Sequence, residues 1–456
     1  MTGLHHHARG VVTLAVAALV IAGCGSDGSP SGDASPSGDA STESVPPTEA
    51  PPATDATESS DTSPSTDPAD SAPAAAPSAD EGFAVLDPPT GEPIVIGMVN
   101  TEGTPGLDFP EMRTDTDLAV DYLNQHGGMG GRPIEIVHCA AAGSPETSQA
   151  CAQELAGKNV EMVMLGLDLF PGYDTFAASG IPVTGALPVL SGDYTADALF
   201  ISGGNATTMA AMVALADLHF EAESVGIVSA DNVGANGSEA TLTAALDKAG
   251  ISYVSIKGGD NETDAGFQGL MRQANEGDPD VLISLYSDAG CIGAMRGRTA
   301  LGITTPVITT PLCASSEVID VVGDDAVGWN FVAIGSTQET PATADFAALI
   351  EPGHGDASAT SLGVGALGVT QVMTLARVAN SLAADGGEVT GATIHAALAA
   401  ATDIRNFPND NLLACGSAPD YPSICSFEFP IGEYVEGGEI RTIPGFEAFS
   451  VVDYLP

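Results

Sequence analysis

The residue patterns that support catalysis are sparse in this sequence. It contains no Gly-x-Ser-x-Gly, no His-Glu-x-x-His and no phosphate-binding Gly-x-x-x-x-Gly-Lys pattern. Gly363-x-Gly365-x-x-Gly368 matches a dinucleotide-binding pattern, but it follows a Gly- and Ser-rich loop rather than a strand. We expect these glycines to lead into a closely packed helix. Isolated histidines lie on separate predicted elements, as is typical of surface or core residues: His126, His138, His219, His354 and His395. The sequence therefore predicts a protein that is not an enzyme and has no cofactor.

Six cysteines follow Cys24, an even number that is typical of disulfide bonds in an oxidising compartment. Many pairings are open, and we predict the sequence neighbours, because each pair closes a short loop between adjacent elements. These pairs are Cys139 with Cys151, Cys291 with Cys313, and Cys415 with Cys425. No Cys-x-x-Cys spacing and no histidine at a zinc-ligand interval accompanies them, so neither a metal site nor a redox site is expected.

Cys24 lies at the end of a short apolar stretch, Gly10–Ala22, which Arg9 precedes. A membrane-spanning helix needs about 20 apolar residues, so this stretch is too short to span but suits the core of a signal peptide. The small residues Ala22 and Gly23 before Cys24 resemble the lipobox of bacterial lipoproteins, in which the thiol is lipidated and the cysteine becomes the first residue. We therefore predict a signal peptide over residues 1–23, lipidation of Cys24, and export to the outer face of the membrane or the periplasm.

Residues 24–90 are rich in Ser, Pro, Asp, Thr and Ala and have no Lys or Arg. Such a composition buries too little apolar surface to offset the entropy of ordering. We predict a disordered linker with an r.m.s. span of roughly 45 Å.

The whole chain carries 60 Asp and Glu against 12 Lys and Arg, for a formal net charge of −48. A surface of this charge repels nucleic acid and anionic lipid head groups. Nucleic acid is therefore excluded as a partner, and contact with the membrane is expected through the lipid anchor alone.

From residue 92 onward, short β-branched runs alternate with Ala-rich helical stretches, as is typical of α/β proteins with parallel sheets. Within this pattern, Ile94–Asn100, the helix that ends at Asn124, and Gly127–Val137 resemble the opening of the periplasmic leucine/isoleucine/valine-binding family. Members of that family are type I solute-binding proteins of ABC importers. The glycines of Gly127–Gly131 would end the helix and turn the chain into the next strand. The similarity continues to about Thr402.

The resemblance implies two doubly wound parallel-sheet lobes joined by a three-strand hinge, with a small ligand held between them. We assign residues 92–205 and 338–400 to the first lobe, and residues 206–337 and 401–456 to the second.

Open α/β sheets bind ligands beyond the carboxyl ends of their strands, so the candidate ligand-binding residues follow the predicted strands. In the first lobe these are Asn100, Glu102, Asp108, Phe109, Phe170, Gly185, Ala186 and Leu187; in the second they are Asp231, Asn232, Tyr286, Ser287 and Leu312. Each of them could instead be a turn or cap residue without ligand contact. That reading is favoured for Asn232, which could cap the next helix.

The amino-acid clamp of the family uses Ser/Thr-bearing loops for the ligand carboxylate and an acidic residue for its ammonium. Here the corresponding loops read Leu169–Gly172, Gly185–Pro188 and Thr310–Cys313. Glu102 or Asp231 could take over the ammonium, or the ligand could be a less zwitterionic amide or acid. The expected function is therefore delivery of a small polar ligand, a branched-chain or related amino acid, to an ABC permease. The alternatives are a ligand-sensing module of the same fold for a signalling receptor and binding of an amide or carboxylate that is not an amino acid.

Overall fold

The computed structural model describes residues 82–104, 108–332, 339–355, 357, 362–409, 411–437 and 439–456. The predicted signal peptide, Cys24 and most of the predicted linker lie outside these residues. Within the described residues, no helix is both long enough and apolar enough to cross a membrane.

The first sheet has five parallel strands in the order β2-β1-β3-β4-β5. Their bounds are β1 Ile94–Thr101, β2 Ile134–Ala141, β3 Met162–Leu165, β4 Val183–Gly185 and β5 Leu199–Phe200. Helices that pack with them are α1 Pro110–Leu123, α2 Pro145–Gly157, α3 Tyr173–Ala178, α9 Pro341–His354, α10 Gly365–Ala384 and α11 Gly391–Ala399. The chain thus returns to the first sheet after the parallel strands of the second, and it adds β12 and β13 to the second sheet last.

The second sheet has seven strands in the order β13-β12-β10-β9-β8-β6-β7. Strands β6 Ser224–Ala230, β7 Ser252–Gly258, β8 Val281–Leu285, β9 Val307–Thr309 and β10 Trp329–Val332 are parallel, whereas β12 Ile431–Val435 and β13 Glu439–Thr442 are antiparallel. Its helices are α4 Gly204–Leu218, α5 Val233–Ala249, α6 Asp264–Ala274, α7 Asp288–Leu301 and α8 Ser316–Val322. Strands β11 Glu428–Phe429 and β14 Phe449–Ser450 form a separate pair.

The turn Gly127–Gly131 has the mechanical role that its sequence predicts. Gly127, Gly128, Gly130 and Gly131 all have positive φ, the left-handed region that L-residues with a side chain rarely adopt. A Cβ atom on Gly128 would come within 2.1 Å of the carbonyl oxygen of Arg132. The turn can therefore end α1 and start β2 only with glycine at this position.

Residues 82–90 correct the predicted extent of the linker. Phe83 is buried in the apolar cluster of the first sheet, and its backbone N–H donates to Asp345 Oδ2 at 2.6 Å. The folded region therefore begins before residue 90. The apolar residues Phe83, Val85 and Leu86 were the sequence signal for this contact.

Three segments connect the two sheets: the one between β5 and α4, the one between β10 and α9, and residues 400–427. In the last of these, Ile424 forms a bridge with Phe200 of β5. Ile404, Phe407 and Leu413 pack in the first apolar cluster, whereas Ile424 and Phe427 pack in the second. The start of this segment therefore packs with the first lobe, although the predicted limit at residue 401 assigns it to the second.

The three disulfide bonds are the three predicted ones: Cys139–Cys151, Cys291–Cys313 and Cys415–Cys425. The first connects β2 to α2, and the second connects α7 to the 3-10 helix Pro311–Ala314 that follows β9. Each bond restricts the unfolded chain and thereby stabilises the fold.

Replacing both Cys291 and Cys313 with alanine should lower the free energy of unfolding by about 3 kcal/mol, because the bond closes a loop of 22 residues. Urea unfolding of the variant and the native protein measures this difference. Thiol titration of the unreduced domain, residues 82–456, should detect almost no free thiol. Several reactive thiols, or an unchanged unfolding midpoint in the variant, would show that the bond does not form.

Candidate ligand-binding site

The candidate residues fall into two sets, one at the carboxyl ends of the parallel strands of each sheet. Side chains from neighbouring strands converge at such edges, which makes them the usual ligand sites of open α/β sheets. The two sets differ in what their side chains already bind.

Asn100, near the end of β1, is buried and fully engaged. Its Oδ1 accepts from the backbone N–H of Leu167 at 3.1 Å, and its Nδ2 donates to the Phe109 carbonyl at 2.7 Å and to Glu102 Oε1 at 3.2 Å. Asn100 therefore connects the end of β1 to the start of α1 and to the loop that follows β3. Its side chain supports the site rather than offering free groups to a ligand.

Glu102 is paired with Arg113 of α1. The Arg113 Nε donates to both carboxylate oxygens, at 3.1 and 3.2 Å, and this hydrogen bond raises the pKa of Arg113. Glu102 is thus already neutralised by a cation of the protein. The nearby Asp108 is exposed and accepts from the Gly103 N–H at 2.8 Å.

An apolar cluster lies at the carboxyl ends of β1, β3 and β4; we call it the strand-end apolar cluster. Its buried members are Met98, Phe109, Met112, Leu167 and Ala186, and half-buried residues against it include Leu187, Val189, Val364 and Leu367. Two of the predicted residues, Phe109 and Ala186, thus belong to an apolar floor, and Leu187 lies at its margin. Gly185 has a packing role, because a Cβ there would come within 2.3 Å of the Phe200 ring.

The loop after β3 combines a buried acid with an exposed aromatic ring. Asp168 is 2% exposed; the Ser148 hydroxyl donates to its Oδ1 at 2.5 Å and the Phe170 N–H at 3.2 Å. Its Oδ2 is buried without a hydrogen-bond partner, and burial raises the pKa of Asp168. The Phe170 side chain is 37% exposed.

In the second sheet, Asn232 caps α5, as the favoured sequence interpretation predicts. Its Oδ1 accepts from the Ala235 N–H at 2.8 Å, and its Nδ2 donates to Asp260 Oδ1 at 2.7 Å. Asp231 is exposed, with a 3.4 Å hydrogen bond from Asn236. Asp231, and not Asn232, retains polar groups for a ligand.

Tyr286 follows β8 and is 2% exposed, and its hydroxyl has no hydrogen-bond partner. Burial raises the pKa of Tyr286 to about 12, with further contributions from the charges of Glu262 and Asp260. Ser287 is half-buried at the start of α7 and makes no side-chain cap hydrogen bond. Leu312, after β9, is 53% exposed.

Some of the buried polar atoms without a partner lie at or near these strand ends. Among the described residues, five of the eleven such side-chain atoms do so: Thr101 Oγ1, Asp168 Oδ2, Ser284 Oγ, Tyr286 OH and Thr310 Oγ1. A buried polar group without a hydrogen bond costs free energy, so such groups in a native protein call for an explanation such as a ligand or bound water. Sequence reasoning does not single out Asp168 or Ser284. The sequence offered one signal for each of these residues. Asp168 is an acid between two leucines, and Ser284 is the single hydroxyl residue of the apolar strand Val281–Leu285.

Neither a metal-binding group nor a dinucleotide-binding loop is seen in the part of the chain that the structure describes. No three His, Cys, Asp or Glu side chains there are grouped so that they could hold a metal ion. Gly365 and Gly368 serve close packing of α10 on α1, because Cβ atoms there would come within 1.9 Å of Asp115 Oδ2 and 2.3 Å of Thr116 Oγ1. Two of the three glycines of the Gly363–Gly368 pattern thus have the packing role predicted from its context.

A family model described as a periplasmic binding protein matches residues 93–418, more than half of the chain. The chain belongs to this family. The family resemblance and the type I periplasmic binding protein fold, both expected from the sequence, are thereby confirmed. In a sequence comparison, no curated protein matches the chain.

Solved structures with this family's fold cover the folded region. An ABC transporter substrate-binding protein from Sphaerobacter thermophilus is 18% identical, with a TM-score of 0.58 over 77% of this chain and 96% of that one. A branched-chain amino acid transporter substrate-binding protein from Streptococcus pneumoniae, in complex with isoleucine, is 15% identical, with a TM-score of 0.52 over 77% and 100%. An ABC transporter solute-binding protein from R. palustris, in complex with 4-hydroxybenzoate, is 16% identical, with a TM-score of 0.53 over 79% and 97%. At these identities the similarity concerns the fold.

Proposed function

We propose that this protein is an extracytoplasmic solute-binding lipoprotein that captures a small ligand between its two lobes and delivers it to an ABC permease. The observation that carries the proposal is the set of unpartnered buried polar atoms at the carboxyl ends of both sheets. Thr101 and Asp168 supply them on the first sheet, and Tyr286 and Thr310 on the second. A ligand in contact with both edges would satisfy groups from each lobe at once.

Closure of one lobe on the other is the expected motion, because connecting segments join the two lobes and hinges lie in such connections. The Tyr194 and Tyr421 rings contact each other at the connection, with centroids 5.2 Å apart, and the Ser423 hydroxyl donates to the Asp193 carbonyl at 2.7 Å. These contacts keep the connecting segments together while the lobes move.

The membrane anchor completes the proposal. Cys24 would carry the lipid, and the acidic, Pro- and Ser-rich segment that follows would hold the binding domain above the membrane at a distance that reaches a permease. The family's extracytoplasmic role and the three disulfide bonds support this location.

Closure can be tested on residues 82–456 by small-angle scattering and calorimetry. Small molecules from the producing cells and medium, separated into fractions, should include at least one that decreases the radius of gyration and raises the melting temperature. Ligand at 100 times its Kd stabilises the folded state by about 2.7 kcal/mol. Mass spectrometry of the active fraction then identifies the ligand. Scattering that stays unchanged with every fraction would contradict the proposal.

A further inference from the structure

The strand-end loops of the first sheet present apolar surface where an amino-acid carboxylate would need hydroxyl donors. The floor there is the strand-end apolar cluster, with Leu187 and Val189 half-buried at its margin. Phe170, in the loop that follows β3, is 37% exposed, and Leu312, which follows β9 of the second sheet, is 53% exposed. Exposed large apolar side chains therefore follow a strand end on each lobe, which suits a ligand with an apolar body.

The charges at the same strand ends are mostly negative. Acidic residues follow the strands in both sheets: Glu102, Asp108 and Glu111 in the first, and Asp231, Asp260 and Glu262 in the second. Among the described lysines and arginines, only Arg113 and Lys257 lie at these ends. Arg113 is held by Glu102, and Lys257 contacts Glu239 at 3.3 Å and Asn236 at 2.5 Å.

The same acidic side chains contribute to the raised pKa of two neighbouring groups, for which burial is the main cause. Burial raises the pKa of Glu111, and the neighbouring charges of Asp115, Asp108 and Glu102 raise it further. In the second lobe, Asp260 and Glu262 add to the effect of burial on the Tyr286 hydroxyl. A carboxylate brought between the lobes would meet repulsion on both sides, whereas a cation would be attracted.

Resting on the proposed function, we infer that the ligand is a small organic cation with an apolar body and no carboxylate, such as an alkylamine or arylalkylamine. The Tyr286 hydroxyl, 2% exposed and without a partner, and Thr310 Oγ1 offer oxygens that accept from an ammonium group. Phe170 offers an aromatic ring for the apolar body or the cation. A zwitterionic amino acid would bring a carboxylate into the same negative region.

Matched probes test the inference by titration calorimetry on residues 82–456. One series is 3-methylbutylamine, leucine and 4-methylpentanoate; the other is 2-phenylethylamine, phenylalanine and 3-phenylpropionate. Within each series the apolar body is the same and only the charged groups differ. In at least one series the amine should bind at least about tenfold more tightly than the amino acid, and the carboxylate should bind most weakly, because like charges in the site oppose it.

Single substitutions locate the binding of the amine. Phe170→Ala and Leu312→Ala should each weaken it by roughly five- to tenfold through lost apolar contact. The matched control is Val254→Ala, because Val254 is 57% exposed on the edge strand β7 and away from the strand ends; its affinity should not change. An unchanged affinity in both the Phe170 and the Leu312 variants would overturn the inference.

The outcomes separate this inference from the proposed function. If leucine or phenylalanine binds more tightly than its amine and closes the lobes, the inference is wrong and the proposed function stands. The same holds if no amine binds while a cellular fraction still closes the protein. If neither probes nor cellular fractions change the scattering, both are wrong.

Discussion

Replacing Cys24 with alanine should release the protein from the membrane fraction into the soluble exported fraction. The proposed anchor is the only attachment that this highly acidic chain is expected to make to an anionic membrane, because a net charge of −48 repels lipid head groups. Two or more acyl chains hold a protein stably at a bilayer, whereas none leaves it free. Cell fractionation and immunoblotting of the variant measure the distribution.

A control variant shows whether a substitution near the proposed lipidation site releases the protein by itself. Ser26→Ala changes a residue beyond the proposed lipidation site and should leave the protein in the membrane fraction. Metabolic labelling with a radioactive fatty acid should mark the native protein and the Ser26 variant but not the Cys24 variant. Membrane retention of the Cys24 variant, with no label in the native protein, would refute lipid anchoring.

Replacing Asp345 with alanine should lower the free energy of unfolding by about 3 to 5 kcal/mol. Asp345 is 2% exposed on α9 and accepts from the Tyr122 hydroxyl at 2.6 Å and from the N–H groups of Phe83 and Ala84 at 2.6 and 3.2 Å. Removing the carboxylate leaves three donors without a partner. Burial of the Tyr122 hydroxyl and its hydrogen bond to Asp345 also raise the pKa of Tyr122.

Urea unfolding followed by circular dichroism measures the loss. Asp345→Asn keeps one oxygen acceptor and should cost less than the alanine variant, so it gives a measurable value even if the alanine variant does not fold. Glu351→Ala, at an exposed position of the same helix, is the matched control and should change the free energy by no more than about 0.5 kcal/mol. Equal stability of the Asp345→Ala and Glu351→Ala variants would show that this contact contributes nothing.

The Cys24 and Asp345 variants test the two ends of the segment that is proposed to connect the membrane to the binding domain. The proposed lipid on Cys24 would fix one end, whereas the contacts of Phe83 and Ala84 with Asp345 fix the other end to the first lobe. The proposed linker is thus several residues shorter than its composition alone indicates.

Local patterns in the sequence determined most of the fold. Alternation of β-branched runs such as Val281–Leu285 with Ala-rich stretches indicated parallel sheets, because side-chain periodicity is a local property of each element. The Gly127–Gly131 turn and the Pro145 start of α2, which Ser144 caps, also depend on neighbouring residues alone. Helix α9 has a start signal in Thr340 and Pro341, but Pro352 and Gly353 interrupt the helical pattern of its last turn, so its extent depends on packing.

Only the tertiary structure decided which contacts the candidate site residues make. The sequence placed Asn100 and Glu102 at a strand end, but their engagement with Leu167, Phe109 and Arg113 depends on chain segments that folding brings together. Likewise, Asp168 became a candidate because packing buries it and leaves one oxygen unpartnered. Hydrogen bonding and burial are properties of the neighbours in space, and sequence spacing carries little information about those neighbours.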